Sequence, residues 1–395
     1  MFPATSTALQ LHARTLVRCL GEPLLGGNRV RLLLDGPAAS DALFRAITQA
    51  RDHINIESYV IEPDGPGAEL ARRLIERCRA GVQVNLLFDS VSAMRGSAPC
   101  FDALREAGVS LCEYNPARRL STLLSHALHL RDHRKLMVVD GRIGFIGGVN
   151  FAAVHSAGSS APRSRDAAWR DTHALVEGPV VARLQRLFVA HWQRFASEAL
   201  PPARYFPPLP QLGTQQVGVA ACDAGRRRNP YYGALLGAID SARHRILLTS
   251  AHQVPPRRLQ RALMRAAGRG VAVHLLLPAS SDSWAPLQPG GSPCSQLLRA
   301  GVRIHERHDA LLHAKTCVVD GVWASVGSSN TDWRRFVHNA EADLMVVDSG
   351  FADQLERSFC ADVAQAVAVE PANWGQRSWL DRCKDLLARR LEYFL

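Results

Sequence analysis

The 395-residue chain is 47% hydrophobic and 21% charged, which excludes a disordered or low-complexity polymer and fits a globular protein of two or three domain equivalents. A formal net charge of +11 favours an anionic partner, either nucleic acid or an acidic membrane surface, without choosing between them. Its nine cysteines lack any Cys-x-x-Cys or zinc-ligand spacing, pointing to a reducing compartment; no apolar run reaches about 18 residues and no compact signal-peptide core appears, so membrane contact is expected to be peripheral.

Residues 1–29 are read as an N-terminal extension. Ile54-Asn55-Ile56-Glu57-Ser58 then predicts a strand, Leu70 to Ala80 an amphipathic helix stopped at Gly81-Val82, and Asn85-Leu86-Leu87-Phe88 a second strand. After a short helical stretch, Gly108-Val109 opens another. Five prolines between Pro201 and Pro210 mark a linker, placed at 201–216, because proline removes backbone donors and stiffens the chain. Beyond it the same order returns: Ile246-Leu247-Leu248-Thr249-Ser250, Leu259 to Arg269, Gly270-Val271, His274-Leu275-Leu276-Leu277 and Gly301-Val302. Strand–helix–strand alternation predicts an α/β fold of two similar halves, 30–200 and 217–370, with βα units on a largely parallel sheet.

The halves share more than rhythm. His133-Arg134-Lys135-Leu136-Met137-Val138-Val139-Asp140 is matched by His313-Ala314-Lys315-Thr316-Cys317-Val318-Val319-Asp320, each a His-x-Lys-x-x-x-x-Asp run. Ten positions after each Asp comes a small-residue turn, Gly147-Gly148-Val149-Asn150 and Gly327-Ser328-Ser329-Asn330. Alternate side chains of an extended strand share a face, so each imidazole is expected beside an ammonium. Packed about a pseudo-twofold axis, the halves would form one cleft with two imidazoles, two ammoniums and two carboxamides. That set suits a phosphodiester without a metal. A neutral His attacks phosphorus, a protonated one gives its proton to the leaving oxygen, and the lysines hold the non-bridging oxygens.

Two segments point to a lipid surface. Gly108 and His133 are 25 positions apart but Gly301 and His313 only 12, so the first half carries an insert, roughly 116–130, with Arg118, Arg119 and five leucines. At 371–395, Trp379, Cys383, Leu386, Leu387, Leu391 and Phe394 recur at helical spacing among five cations, predicting a basic amphipathic helix. Packing on the protein's own core is the competing reading of both. The remaining histidines, including His126, His129, His252 and His338, are read as ordinary.

The doubled motifs resemble those of the phospholipase D superfamily, and within it the chain is similar to bacterial cardiolipin synthases of the shorter branch without N-terminal membrane spans. The likeness runs from about Val30 to Val347, with an echo at Arg377-Ser378-Trp379. It implies two phospholipase D-like halves sharing one active site. His133 is then expected to become phosphorylated and His313 to act as acid and then base, within a catalytic set of His133, Lys135, Asp140, His313, Lys315 and Asp320. Asp140 and Asp320, each before a glycine, also read as turn residues. Asn150, Asn330 and Ser328 are expected to bind substrate, and Asp171 and Glu341 to orient the histidines.

The activity so implied is phosphatidyl transfer between two phosphatidylglycerol molecules, giving cardiolipin and glycerol, on the cytoplasmic face of a bacterial membrane. It needs no cofactor, metal or nucleic acid; the sequence leaves the oligomeric state open. The alternatives are a phospholipase D or transfer to another alcohol, a nuclease of the same superfamily, and a non-enzymatic basic membrane- or nucleic-acid-binding protein. One departure from the family is Ala251-His252-Gln253-Val254-Pro255, where an aromatic pair is often found.

Overall fold

A computed structural model describes residues 6–93, 98–116, 130–155, 158, 169–196, 200, 202–225, 229–251, 255–279, 291–331 and 338–370. Most of the insert, residues 252–254 and the C-terminal segment 371–395 lie outside the described residues.

The first half contributes β1 (Leu25–Leu34), β2 (His53–Ser58), β3 (Gln83–Asp89), β4 (Ser110–Tyr114), β5 (Arg131–Asp132), β6 (Leu136–Val139), β7 (Ile143–Gly147), β8 (Trp169–Arg170) and β9 (Thr172–Glu177). The second contributes β10 (Gln215–Cys222), β11 (Arg245–Thr249), β12 (Ala272–Pro278), β13 (Arg303–Arg307), β14 (Leu311–Leu312), β15 (Thr316–Val319), β16 (Trp323–Gly327), β17 (Asn339–Val347) and β18 (Ala366–Ala368). The main path reads β18-β13-β12-β11-β15-β16-β17-β10-β1-β9-β7-β6-β2-β3-β4. From the β1–β10 seam outward the two halves list equivalent strands in the same order, so a pseudo-twofold axis passes through that antiparallel pair.

The sheet is mixed rather than largely parallel. Within each half only three strands run parallel, β2-β3-β4 and β11-β12-β13. The strand after each motif returns antiparallel to it, because the connection between Val139 and Ile143, or Val319 and Trp323, is too short for a crossover. Asp140 (φ 51°) and Gly141 (φ 63°) make one of these turns, Asp320 (φ 53°) and Gly321 (φ 64°) the other. Aspartate and glycine are suited to that left-handed region.

Asp140 also receives the backbone N–H groups of Arg51, Asp52 and His53 at 2.8–3.2 Å, and Asp320 those of Arg243, His244 and Arg245. Each carboxylate thus pins the segment entering the neighbouring strand. Asp140→Ala is expected to lose about 2–4 kcal/mol of stability, from charge-assisted hydrogen bonds and the strain of a left-handed alanine. Denaturant titration checks this, and the folded fraction should keep its specific activity.

Alternate side chains of the central strands serve two layers. Leu136 and Val138 face a core shared by both halves under helices Val181–Phe195 and Ser349–Ala364. Met137 and Val139 face a core under helices Asp35–Gln49 and Gly65–Arg79, and Cys317 and Val319 its counterpart in the second half. The N-terminal stretch is a helix, Ser6–Leu20, and it docks on the second half, where His12 Nε2 lies 3.1 Å from Asp320 and Thr15 Oγ1 lies 3.3 Å from Ser241 Oγ. No helix among the described residues is long and apolar enough to cross a membrane.

Candidate active site

His133-Arg134-Lys135 and His313-Ala314-Lys315 lie just ahead of β6 and β15, not in them, because their backbone pairs across the dyad. β5 adds parallel to the start of β17 and β14 adds parallel to β8, so each histidine is delivered by a strand bonded to the other half. The His133 N–H donates to the Ala340 carbonyl at 2.9 Å, and the His313 N–H to that of Arg170 at 2.8 Å.

The side chains repeat this crossing. His133 Nδ1 donates to Glu341 Oε2 at 3.1 Å and lies 3.2 Å from the Ser328 carbonyl. His313 Nδ1 donates to Asp171 Oδ2 at 2.6 Å. An acceptor at Nδ1 fixes the tautomer and leaves Nε2 for chemistry. The imidazole centroids are 6.5 Å apart at 70°. With reacting atoms approaching to about 3–3.5 Å, that separation suits a single phosphorus between the rings.

Lys135 Nζ donates to the His133 carbonyl at 2.7 Å and sits 5.0 Å from the Tyr59 ring centre; Lys315 Nζ bonds the His313 carbonyl. Both lysines are 3% exposed. Burial pushes the Lys135 ammonium down to about 7 against the attraction of Glu341, and Lys315 adds to the depression. Burial likewise pushes the Glu341 carboxyl up to about 7, opposed by Lys135. A desolvated cation short of negative charge is prepared for an incoming phosphodiester anion. Deeper in the second half, burial raises Asp343 to about 8 while it accepts the Ser329 hydroxyl at 2.5 Å.

The buried amide of Asn330 suits a substrate oxygen, because its Nδ2 is a donor with no protein hydrogen-bond partner among the described residues; Asn330 Oδ1 and Asn150 Oδ1 also have none there and, as acceptors, suit a hydroxyl. Ser328 does not match its expected role. Its hydroxyl is fully buried and engaged with Ala342, accepting from the Ala342 N–H at 3.0 Å, so it supports His133 from behind. Asp140 and Asp320 also fall outside the pocket, since each sits in a turn at the far end of a motif strand. The small-residue turns are explained by close approach: a Cβ on Gly148 would lie 2.0 Å from Asp171 Oδ1, and one on Gly327 would lie 1.9 Å from Asp343 Oδ1.

Two aromatic neighbours escaped sequence reasoning. Tyr59 lies edge-on to His133 at 4.8 Å and Trp169 lies 5.2 Å from His313. Their signals were modest: an aromatic just after a strand, and one two positions before an acid. Among the described residues one group has metal-ligand spacing, Glu57, Asp132 and His191, but Arg134 already lies 3.3 Å from Glu57.

Residues 43–192 and 235–363 match the family model described as cardiolipin synthase, phospholipase D-like domain. Cardiolipin synthase A of Pseudomonas aeruginosa strain LESB58 is 34% identical over 360 residues, covering 91% of this chain and 71% of that protein. Cardiolipin synthase of Geobacillus kaustophilus is 31% identical over 390 residues, covering 97% and 76%. Among solved structures, phosphatidylserine synthase of Haemophilus influenzae superposes with a TM-score of 0.68 at 13% identity, covering 97% of this chain and 98% of that one, which supports the fold.

Proposed function

Because the chain belongs to the phospholipase D-like cardiolipin synthase family of phosphatidyltransferases, we propose that it converts two phosphatidylglycerol molecules into cardiolipin and glycerol through a phosphohistidine on His133. The observation that carries this reading is the pair of facing imidazoles, each held at Nδ1 by the other half's carboxylate.

In the first step neutral His133 Nε2 attacks phosphorus, the bond to glycerol oxygen breaks, and His313 gives its Nε2 proton to that oxygen. Glycerol then leaves. In the second step a hydroxyl of another phosphatidylglycerol loses its proton to His313 as its oxygen attacks phosphorus, the P–N bond breaks, and both histidines regain their starting states. Lys135, Lys315, Asn150 and Asn330 hold the non-bridging oxygens throughout. The basic surface fits peripheral binding to an anionic phospholipid membrane, with the cytoplasmic face as the proposed location.

Incubating the purified protein with labelled phosphatidylglycerol in mixed micelles tests the reading. Cardiolipin should appear with released glycerol and decline when glycerol is added. Phosphatidic acid alone would mean a lipase; no lipid turnover, with cleavage of single-stranded nucleic acid, would make it a nuclease. The depressed Lys135 adds a pH signature. In free enzyme the ammonium is lost as pH rises through about 7, so kcat/KM should fall above that point through a rising KM. Bound phosphodiester holds the charge, so the corresponding limb of kcat should lie at higher pH. Coincident limbs would exclude Lys135 as the binding cation.

A further inference from the structure

The halves supply matching histidines, lysines and carboxylates but not matching arginines. Arg134 stands between His133 and Lys135 where the second motif has Ala314, and Arg170 precedes Asp171 where the second half has Ala340. Both arginines are buried, and both reach out of their own half.

Arg134 sends Nη2 to the Cys222 carbonyl at 2.8 Å and to Asp223 Oδ1 at 3.1 Å, and Nε to the Glu341 carbonyl at 3.4 Å, while Nη1 stays on Glu57 at 3.3 Å. Cys222 and Glu341 are paired residues of β10 and β17. The arginine is therefore chained to His133 and bonded to the strand carrying the partner of that histidine. Asp132, His191, Tyr114 and the Cys222 thiol are further titratable groups that interact with it.

Arg170 forks Asp362 with Nε at 2.9 and 3.1 Å, gives Nη2 to Ser358 Oγ at 2.6 Å, and reaches Asp35 at 3.3 Å and its neighbour's carbonyl at Asp171. Asp362 also binds Arg307, and with Ser358 it belongs to helix Ser349–Ala364 of the second half. Here the chain neighbour is Asp171, and the Arg170 carbonyl receives the His313 N–H.

We propose that Arg134 and Arg170 are positioning residues for the transfer reaction, Arg134 fixing the His133–Glu341 pair and Arg170 the His313–Asp171 pair from across the seam between the halves. Only the assignment of which pair attacks and which donates the proton rests on the function proposed above. A buried guanidinium has a rigid planar fork that lysine cannot reproduce, and a misplacement of about 1 Å in a reacting group costs about 10²-fold in rate.

The test is the single-turnover rate of adduct formation against pH, at saturating phosphatidylglycerol, in full-length Arg134→Gln and Arg170→Gln, with thermal unfolding of each. Adduct formation needs the attacking histidine neutral and the donor protonated. Removing a buried cation beside either pair lets that pair hold its proton to higher pH. In Arg134→Gln the acid limb should therefore rise by roughly half to one pH unit while the alkaline limb stays; in Arg170→Gln the reverse is expected. Each rate should fall about 30- to 100-fold with KM within about threefold of wild type. Arg134→Lys and Arg170→Lys keep the charge and lose the fork, so both limbs should stay while the rate still falls about tenfold or more. Loss of activity in proportion to loss of folded protein, with neither limb moving, would overturn the proposal. If the glutamine variants do not fold, wild-type rates in the folded lysine variants would overturn it too. Interchanged limbs would uphold the positioning role and reject the histidine order.

Discussion

Replacing His133 by alanine is expected to lower turnover at least about 10⁴-fold and to abolish the acid-labile, alkali-stable adduct that labelled phosphatidylglycerol would otherwise leave on the protein. His313→Ala should lose turnover as severely for a different reason. Glycerol is a poor leaving group and departs only if its oxygen receives a proton. A donor bearing nitrophenol needs none, so His313→Ala should recover adduct formation with that donor and then accumulate adduct, lacking a base for the second alcohol. His133→Ala should show no such rescue. An adduct surviving in His133→Ala and lost in His313→Ala would reverse the assignment; substantial turnover of phosphatidylglycerol in either variant would exclude the double displacement.

The second large effect concerns the carboxylates. Asp171→Asn and Glu341→Gln are each expected to cost about 10²- to 10⁴-fold in kcat, since an amide neither selects the reactive tautomer nor stabilises the imidazolium. The crossed wiring makes the two distinguishable. Asp171 lies in the half of His133 but holds His313, so Asp171→Asn should respond to the nitrophenol donor as His313→Ala does. Glu341→Gln should behave like the attacking-histidine variant, although residue 341 lies in the other half. If each carboxylate variant resembled the histidine of its own half, the crossed pairs would not operate in turnover.

Which carboxylate meets which histidine was not legible in the sequence. The motifs, their repetition and the two-half α/β plan follow from local spacing, because strand period and matched turns are written along the chain. The crossing depends instead on the β1–β10 seam and on two-residue ladders such as Asn339 with Arg131, too short to leave a pattern. The largely parallel sheet was misread because apolar runs of four or five residues look alike in either direction; only the Asp140-Gly141 and Asp320-Gly321 turns reveal the reversal. Ser328 illustrates a further limit. A serine in a phosphate-binding motif reads as a substrate contact, and only burial shows its hydroxyl committed to Ala342. The arginines were hidden because a charge in or beside a short strand is ambiguous until its partners are known.

The β1–β10 seam also has a consequence for descent. Under twofold symmetry, a histidine served by the opposite half's acid is the arrangement two identical copies of one half would already form. Joined by a tether, such copies meet at a fixed effective concentration, and the shared site no longer depends on how much protein is present. The tether also ends the need for identity. Once the halves are separate stretches of one chain, a change in one is not imposed on the other, so Arg134 can face Ala314 and Arg170 can face Ala340. In a symmetric pair either histidine can take either role, whereas a tethered pair is free to give one histidine to the donor and the other to the alcohols.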